Sequence, residues 1–201
     1  MTQPLGVILA GGLATRMGGG DKGRLMLGGQ SLFSRVIARF APQVGALAIS
    51  ANGDPARLDD LGLPVLADSV AGFPGPLAGV LAGMDWAAGL GAEQLVTVAA
   101  DTPFLPCDLV PRLVLAAEGG APVVLASSTE DGRILRHPTF GLWPVARRED
   151  LRGALAAGVR KVGQWADAQG VTLAPFPAEP FDPFLNINTP GDLARAEALL
   201  R

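Results

Sequence analysis

The chain has 201 residues, of which 49% are hydrophobic and 17% charged, with a formal net charge of −3. That composition excludes a disordered chain and leaves no basic surface for nucleic acid. One cysteine, Cys107, and one histidine, His137, exclude an internal disulfide and any metal site built from several Cys or His.

Met1-Thr2-Gln3-Pro4 carries no basic leader region, and no apolar run approaches the ~18 residues of a membrane span. Residues 5–10 are a short apolar run closed by Gly11-Gly12, the pattern of a buried strand. Residues 11–30 hold eight glycines and read as a long loop. Ser31 caps a helix with Leu32, Phe33, Val36, Ile37 and Phe40 on one face. Strands follow at 46–51 and 63–67, and Pro76 opens a helix carrying Leu77, Val80, Leu81 and Met84. Residues 94–100 are a strand ending at Asp101. A helix is expected at 108–118, strands at 121–127 and 171–176, and helices at 147–157 and 160–168. The stretch 134–143 combines strand character with His137-Pro138. Thr189-Pro190-Gly191-Asp192 has the form of a capping box, with Leu193, Ala196, Leu199 and Leu200 expected to face inward.

Strands alternating with helices predict an α/β domain with a mostly parallel sheet. Ligands bind such sheets beyond the carboxyl ends of the strands. The loop after the first strand, Asn52, Asp68 and Asp101 all fall at that edge.

Composition selects residues independently. Arginine outnumbers lysine fourteen to two, tyrosine is absent, and only three asparagines occur, as in a GC-rich coding sequence. Lysines that survive such drift are expected where a compact ammonium is needed. The five positions are Lys22, Lys161, Asn52, Asn186 and Asn188.

Residues 9–22 read Leu-Ala-Gly-Gly-Leu-Ala-Thr-Arg-Met-Gly-Gly-Gly-Asp-Lys. Gly11 and Gly12 would let backbone N–H groups approach an anion, and Arg16 and Lys22 add charge suited to a triphosphate. The loop is neither a Walker A motif nor a dinucleotide fingerprint. The competing reading is a surface turn in a glycine-rich chain.

The pattern Leu-Ala-Gly-Gly-x3-Arg-Met-Gly-Gly-x-Asp-Lys resembles the signature of nucleotidyltransferases, and of the molybdenum cofactor guanylyltransferase family in particular. The similarity extends through Ser50-Ala51-Asn52, Asp68-Ser69, Pro74-Gly75-Pro76-Leu77-Ala78-Gly79, Asp101-Thr102-Pro103, His137-Pro138-Thr139 and Asn186-Ile187-Asn188-Thr189-Pro190. Ser50 departs from the family, which often has Asn there.

The resemblance implies a three-layer Rossmann-like nucleotidyltransferase fold over residues 1–201. Residues to about 105 would bind the nucleotide and residues from about 106 the acceptor. It implies transfer of GMP from GTP to the terminal phosphate of molybdopterin, with release of pyrophosphate. The attacking phosphate oxygen is already anionic, so no strong general base is required. Arg16, Lys22 and Asp101 would be catalytic, with Asp101 holding Mg²⁺. Leu9, Ala10, Gly11, Gly12, Lys22, Asn52, Asp68 and Asp101 would bind the nucleotide. Asn186 and Asn188 alternate with Ile187, which puts both amides on one side of an extended segment. They are candidates for the acceptor phosphate or the water shell of the metal.

Structural alternatives stand beside these roles: a turn cap for Asp68 and Asp101, a turn before Thr189 for the asparagines, and a salt bridge for Arg16 and, less readily, for Lys22. His137 reads more simply as a structural hydrogen-bonder than as a pterin contact, and Cys107 as a small packed residue. Trp86, Trp143 and Trp165 read as packing, with a pterin floor the alternative for the last two. Arg160 and Lys161 are either a solvated face or a meeting point for an anionic acceptor. Competing functions are a CTP-dependent cytidylyltransferase and a non-catalytic nucleotide-binding regulator. The chain is expected to be a cytoplasmic monomer with no membrane or nucleic-acid partner, meeting cofactor-insertion proteins or molybdoenzymes transiently.

Overall fold

The computed structural model describes residues 3–11, 21–68, 75–119 and 122–201. β1 (Leu5–Leu9) leads to a 3-10 turn at Lys22–Arg24 and a small hairpin, β2 (Met26–Leu27) and β3 (Gln30–Ser31). Then come α1 (Leu32–Phe40), β4 (Leu47–Ser50), a 3-10 segment Pro55–Leu61, β5 (Val65–Leu66), α2 (Pro76–Gly89) and β6 (Gln94–Ala99). The second half contains α3 (Leu109–Ala117), β7 (Val123–Glu130), β8 (Arg133–Pro144), α4 (Arg148–Ala156), α5 (Val162–Gln169), β9 (Val171–Pro175) and α6 (Pro190–Ala198).

Seven strands form one sheet in the order β5-β4-β1-β6-β8-β7-β9. Only β8 runs against its neighbours; the other pairings in this sheet are parallel. Both faces are covered. Ile8, Ile49, Val96 and Val98 pack with Phe33, Val36 and Phe40 of α1 and Leu109 and Leu113 of α3. Val7, Leu9, Leu95 and Leu125 pack with Leu77, Leu81 and Met84 of α2, Leu151 of α4 and Trp165 of α5. Burial of alternate residues on opposite faces explains why the strands read as continuous apolar runs. A third cluster, Leu27, Leu32, Phe104, Ile187 and Ala196, seats the small hairpin and α6 beside the main sheet.

Helix starts follow local chemistry. Ser31 Oγ accepts from Ser34 N–H at 3.1 Å. Thr189 and Asp192 form a reciprocal capping box, with Asp192 N–H donating to Thr189 Oγ1 at 3.2 Å and Thr189 N–H donating to an Asp192 oxygen at 2.9 Å. The Asn188 N–H, 3.0 Å from the same carboxylate oxygen, and then the Thr189 hydroxyl, at 2.9 Å, hold the Asp192 carboxyl below its usual pKa. Gly75, at φ +143°, turns the chain into α2 with a backbone that an L side chain rarely adopts. Gly79 and Gly83 let α2 lie close on the sheet, since a Cβ at Gly79 would stand 2.9 Å from Leu9 and one at Gly83 2.8 Å from Leu95.

Several expectations change. The glycine-rich stretch includes the Lys22–Arg24 turn and the β2–β3 hairpin. β8 is a twelve-residue strand joined to β7 through Asp131-Gly132, both at positive φ. That is the backbone of a two-residue hairpin, and Asp-Gly is its usual sequence. Leu199 and Leu200 are 38% and 40% exposed rather than inward, because α6 ends at Ala198 and they leave its apolar stripe. Cys107 is exposed rather than packed, with the Arg39 guanidinium 3.3 Å from its sulfur. Among the described residues no helix is long and apolar enough to cross a membrane.

Candidate active site

Asp101 follows β6 at its carboxyl end, and four side chains gather on it. Lys22 Nζ donates to Asp101 Oδ2 at 2.9 Å, each side chain being 19% exposed. Lys22 Nζ also donates to Asn188 Oδ1. Thr102 Oγ1 donates to Asn186 Oδ1 at 2.6 Å and lies 3.5 Å from Asp101 Oδ1. The asparagine segment is tied to the same place, since Ile187 N–H donates to the Asp101 carbonyl at 2.9 Å. Ile187 is fully buried in the third cluster, so it anchors the segment while Asn186 and Asn188 face the carboxylate.

The turn bearing Lys22 is fixed from two sides. A Cβ on Gly23 would stand 2.4 Å from the Phe33 ring, which is 1% exposed, so only glycine fits there. Arg57 Nε donates to Asp21 Oδ2 at 2.9 Å, joining the turn to the 3-10 segment Pro55–Leu61. The Asp21 side chain is 10% exposed, which makes this pair less screened than the Arg24–Asp60 pair beside it.

A cavity of about 280 Å³ opens over this cluster, lined by Leu9, Ala10, Gly11, Lys22, Asp101 and Asn186 among others. A methyl group on Gly11 would meet no atom of the described residues within 4 Å, so among them the glycine is not required by packing. Leu9, Gly11, Gly75 and Pro76 also border a small recess of about 50 Å³ containing Ser50, Asn52 and Asp68. There Asn52 Nδ2 donates to Asp68 Oδ2 at 2.6 Å, and Asp68 N–H donates to Asn52 Oδ1 at 3.0 Å. On its other side the cavity shares Pro76 and Thr139 with an open groove of about 690 Å³, lined also by Pro138, Lys161, Gly163 and Gln164. Recess, cavity and groove thus run in sequence across the carboxyl edge of the sheet.

Gly12 and Arg16 lie outside the described residues. The other expected site residues, Leu9, Ala10, Gly11, Lys22, Asn52, Asp68, Asp101, Asn186 and Asn188, all lie along this edge. His137 does not border the cavity. Its Nε2 is 2.8 Å from Ser128 Oγ and its ring stacks on Phe184 at 4.2 Å. Burial lowers its pKa from 6.5, opposed by the charge of Asp182. Trp143 and Trp165 pack together in the core, 0% and 2% exposed, and neither borders the groove. Arg160 donates to the Leu155 and Val159 carbonyls, while Lys161 borders the groove. Sequence reading did not single out Thr102 or Gly23 as site-forming. The available signals were their neighbours Asp101 and Lys22 and, for Thr102, its place in Asp101-Thr102-Pro103.

Residues 6–171 match the family model described as "MobA-like NTP transferase domain". The chain belongs to the MobA-like NTP transferase family. A molybdenum cofactor guanylyltransferase from Cereibacter sphaeroides is 56% identical over 98% of this chain and 96% of its own length. One from Rhodopseudomonas palustris strain HaA2 is 53% identical over 98% of this chain and 92% of its own. Among solved structures, molybdopterin-guanine dinucleotide biosynthesis protein A from Archaeoglobus fulgidus matches with a TM-score of 0.74 at 24% identity, covering 98% of each chain. A 4-diphosphocytidyl-2C-methyl-D-erythritol synthase from Anaerococcus prevotii matches at 0.77 with 14% identity, covering 99% of this chain and 96% of its own. At these identities the structural likeness speaks for the shared MobA-like fold, whatever nucleotide each protein uses.

Proposed function

We propose that the chain transfers GMP from GTP to the terminal phosphate of molybdopterin, with Mg²⁺ as cofactor. The observation that carries this is the convergence of Lys22, Thr102, Asn186 and Asn188 around Asp101, in a cavity continuous with the Asn52–Asp68 recess. The names of the near-full-length relatives support the choice of nucleotide and acceptor.

In this reading the guanosine lies toward Asn52 and Asp68, and the triphosphate spans Gly11 to Lys22. Molybdopterin enters along the groove bordered by Lys161. Its phosphate oxygen attacks the α-phosphorus of GTP, a new P–O bond forms, and the bond to the β-phosphate oxygen breaks as pyrophosphate leaves. The nucleophile is already an anion. The chain therefore has to align the two phosphates and neutralise their charge. Lys22 supplies a positive charge beside the reacting phosphates, and Arg16 is proposed to grip the pyrophosphate. Asn186 and Asn188 hold the polar surroundings of Asp101 and face the acceptor side.

The donor set around Asp101 suits Mg²⁺, which takes oxygen ligands and commonly uses one or two carboxylates with substrate phosphates. Asp101 would hold it, with the amide oxygens of Asn186 and Asn188 nearby. Bound there, the ion would supply further charge neutralisation at the triphosphate. We read the working form as a cytoplasmic monomer that passes its product to molybdoenzymes or insertion proteins.

The test is calorimetric binding of GTP, CTP and ATP with and without Mg²⁺, followed by pyrophosphate release with molybdopterin. Preference for GTP and release that needs both substrates are expected. Preference for CTP would move the function to cytidylyl transfer and point to Ser50. Nucleotide binding without release would leave a non-catalytic binder.

A further inference from the structure

We infer that Thr139 is a substrate-contacting residue of this site, its hydroxyl donating to the acceptor phosphate where that phosphate meets the nucleotide. The inference rests on the guanylyl-transfer reading above and adds a residue to it.

Leu125 of β7 pairs with Gly141 of β8, yet the next residue, Ala126, pairs with His137. Pro138, Thr139 and Phe140 therefore have no partners on β7. On the other side, β6 pairs with β8 only from Gln94↔Pro144 to Thr97↔Gly141. The three residues bulge out of both ladders at the carboxyl edge of β6, next to Asp101. Bulges commonly re-aim a side chain beside a functional site. Phe140 turns into the core at 1% exposure, while Thr139 is half-buried and borders both the cavity and the groove.

The bulge is pinned from beneath. Thr97 Oγ1 donates to the Thr139 carbonyl at 2.9 Å, and Trp143 Nε1 donates to Thr97 Oγ1 at 2.8 Å. Thr97 and Trp143 are both 0% exposed. These two bonds hold the Thr139 backbone, but its own hydroxyl makes no hydrogen bond among the described residues. A polar group on a pinned backbone is thus left available at the join between two compartments.

Among the described residues, only Pro76 and Thr139 border both compartments. If the nucleotide phosphates lie over Lys22 and Asp101 and the acceptor occupies the groove, the reacting atoms meet at this join, about 3–3.5 Å apart. Pro76 has no donor to offer there. The Thr139 hydroxyl has one, and a hydrogen bond to a charged phosphate is among the stronger kinds.

The experiment uses the full chain with Thr139→Val, Thr139→Ser and Thr139→Ala. KM values for GTP and molybdopterin are measured separately, with thermal unfolding alongside. Thr139→Val is expected to raise KM for molybdopterin about ten- to hundredfold, the range for losing a hydrogen bond to a charged group. KM for GTP and the unfolding midpoint should stay unchanged, and Thr139→Ser should restore the molybdopterin KM. Should Thr139→Val fold poorly, Thr139→Ala gives the same readout. Wild-type values in the Val and Ala variants would overturn the inference. Equal losses in the Val and Ser variants would overturn it too, since the bulge rather than the hydroxyl would matter. A rise confined to the GTP KM would assign the hydroxyl to the nucleotide and overturn it likewise. A wild-type chain that releases no pyrophosphate with GTP and molybdopterin overturns the underlying reading, and this inference with it.

Discussion

The ammonium of Lys22 lies 2.9 Å from Asp101 Oδ2, although 79 positions separate the two residues in the chain. Each reaches that place by its own route. Lys22 stands on a turn held by the glycine contact at Phe33 and by the Asp21–Arg57 pair. Asp101 follows β6, and its carbonyl accepts from Ile187 N–H. The pair joins the glycine-rich segment, the central strand and the asparagine segment in one polar cluster, so a change to either partner is felt by all three.

Asp101→Asn keeps the shape of the side chain and removes its charge. Turnover is expected to fall about 10²–10³-fold, the scale for losing one preorganised stabilising group in an active site. GTP binding should persist, weakened. Lys22→Ala should lower kcat on a similar scale. Steady-state kinetics with calorimetric GTP binding checks both, and wild-type turnover in Asp101→Asn would remove the carboxylate from the chemistry.

Gly23→Ala tests whether the position of Lys22 matters beyond its charge. The new methyl would stand 2.4 Å from the ring of buried Phe33, so the turn must shift. Overpacking of this kind costs about 1–3 kcal/mol. A displacement near 1 Å can cost about 10²-fold in rate. We expect a lowered unfolding midpoint and a fall in kcat despite an intact Lys22. A variant destabilised at unchanged kcat would show that the turn tolerates displacement.

Much of this arrangement is legible before folding, for identifiable reasons. The strands bury both faces and read as apolar runs, and Ser31 and Thr189 announce the helices that they cap. The alternation Asn186-Ile187-Asn188 encodes one buried and two outward residues. Other features depend on partners distant in sequence. The bulge at Pro138–Phe140 is set by the different lengths over which β6 and β7 pair with β8. The reason for Gly23 is the ring of Phe33, ten positions on, brought over it by the fold. The β7–β8 hairpin was readable in Asp131-Gly132, whose turn chemistry outweighs the Pro138 that argues against a strand.

Thr97→Val should be costly although it changes a single hydroxyl. Trp143 Nε1 would lose its acceptor in a fully buried place, and the Thr139 carbonyl would lose its donor. An orphaned buried polar group costs about 1–3 kcal/mol. At about 2–4 °C per kcal/mol for a domain of this size, the unfolding midpoint should drop by several degrees. Thr97→Ser, which keeps the hydroxyl, should recover most of it. Equal midpoints for Val and wild type would mean that the two bonds contribute nothing net.

The stability of the chain should carry a signature of His137 in mild acid. Burial lowers its folded pKa from 6.5, and the charge of Asp182 opposes this without cancelling it. Above the unfolded value, the ring is neutral in both states and contributes no pH dependence. As pH falls through about 6.5, the unfolded chain takes up the proton first, so stability declines until the folded pKa is passed. His137→Gln can keep a side-chain hydrogen bond to Ser128 and does not titrate. Urea unfolding of both proteins at pH 5.5 and 7.5 isolates the contribution from the carboxylates that titrate lower. Wild type should lose more stability than the variant on going to pH 5.5. Because the ring stacks on Phe184, two residues before Asn186, acid should also loosen the asparagine segment. Equal losses in the two proteins would mean that the folded ring takes up its proton over the same pH range as the unfolded one.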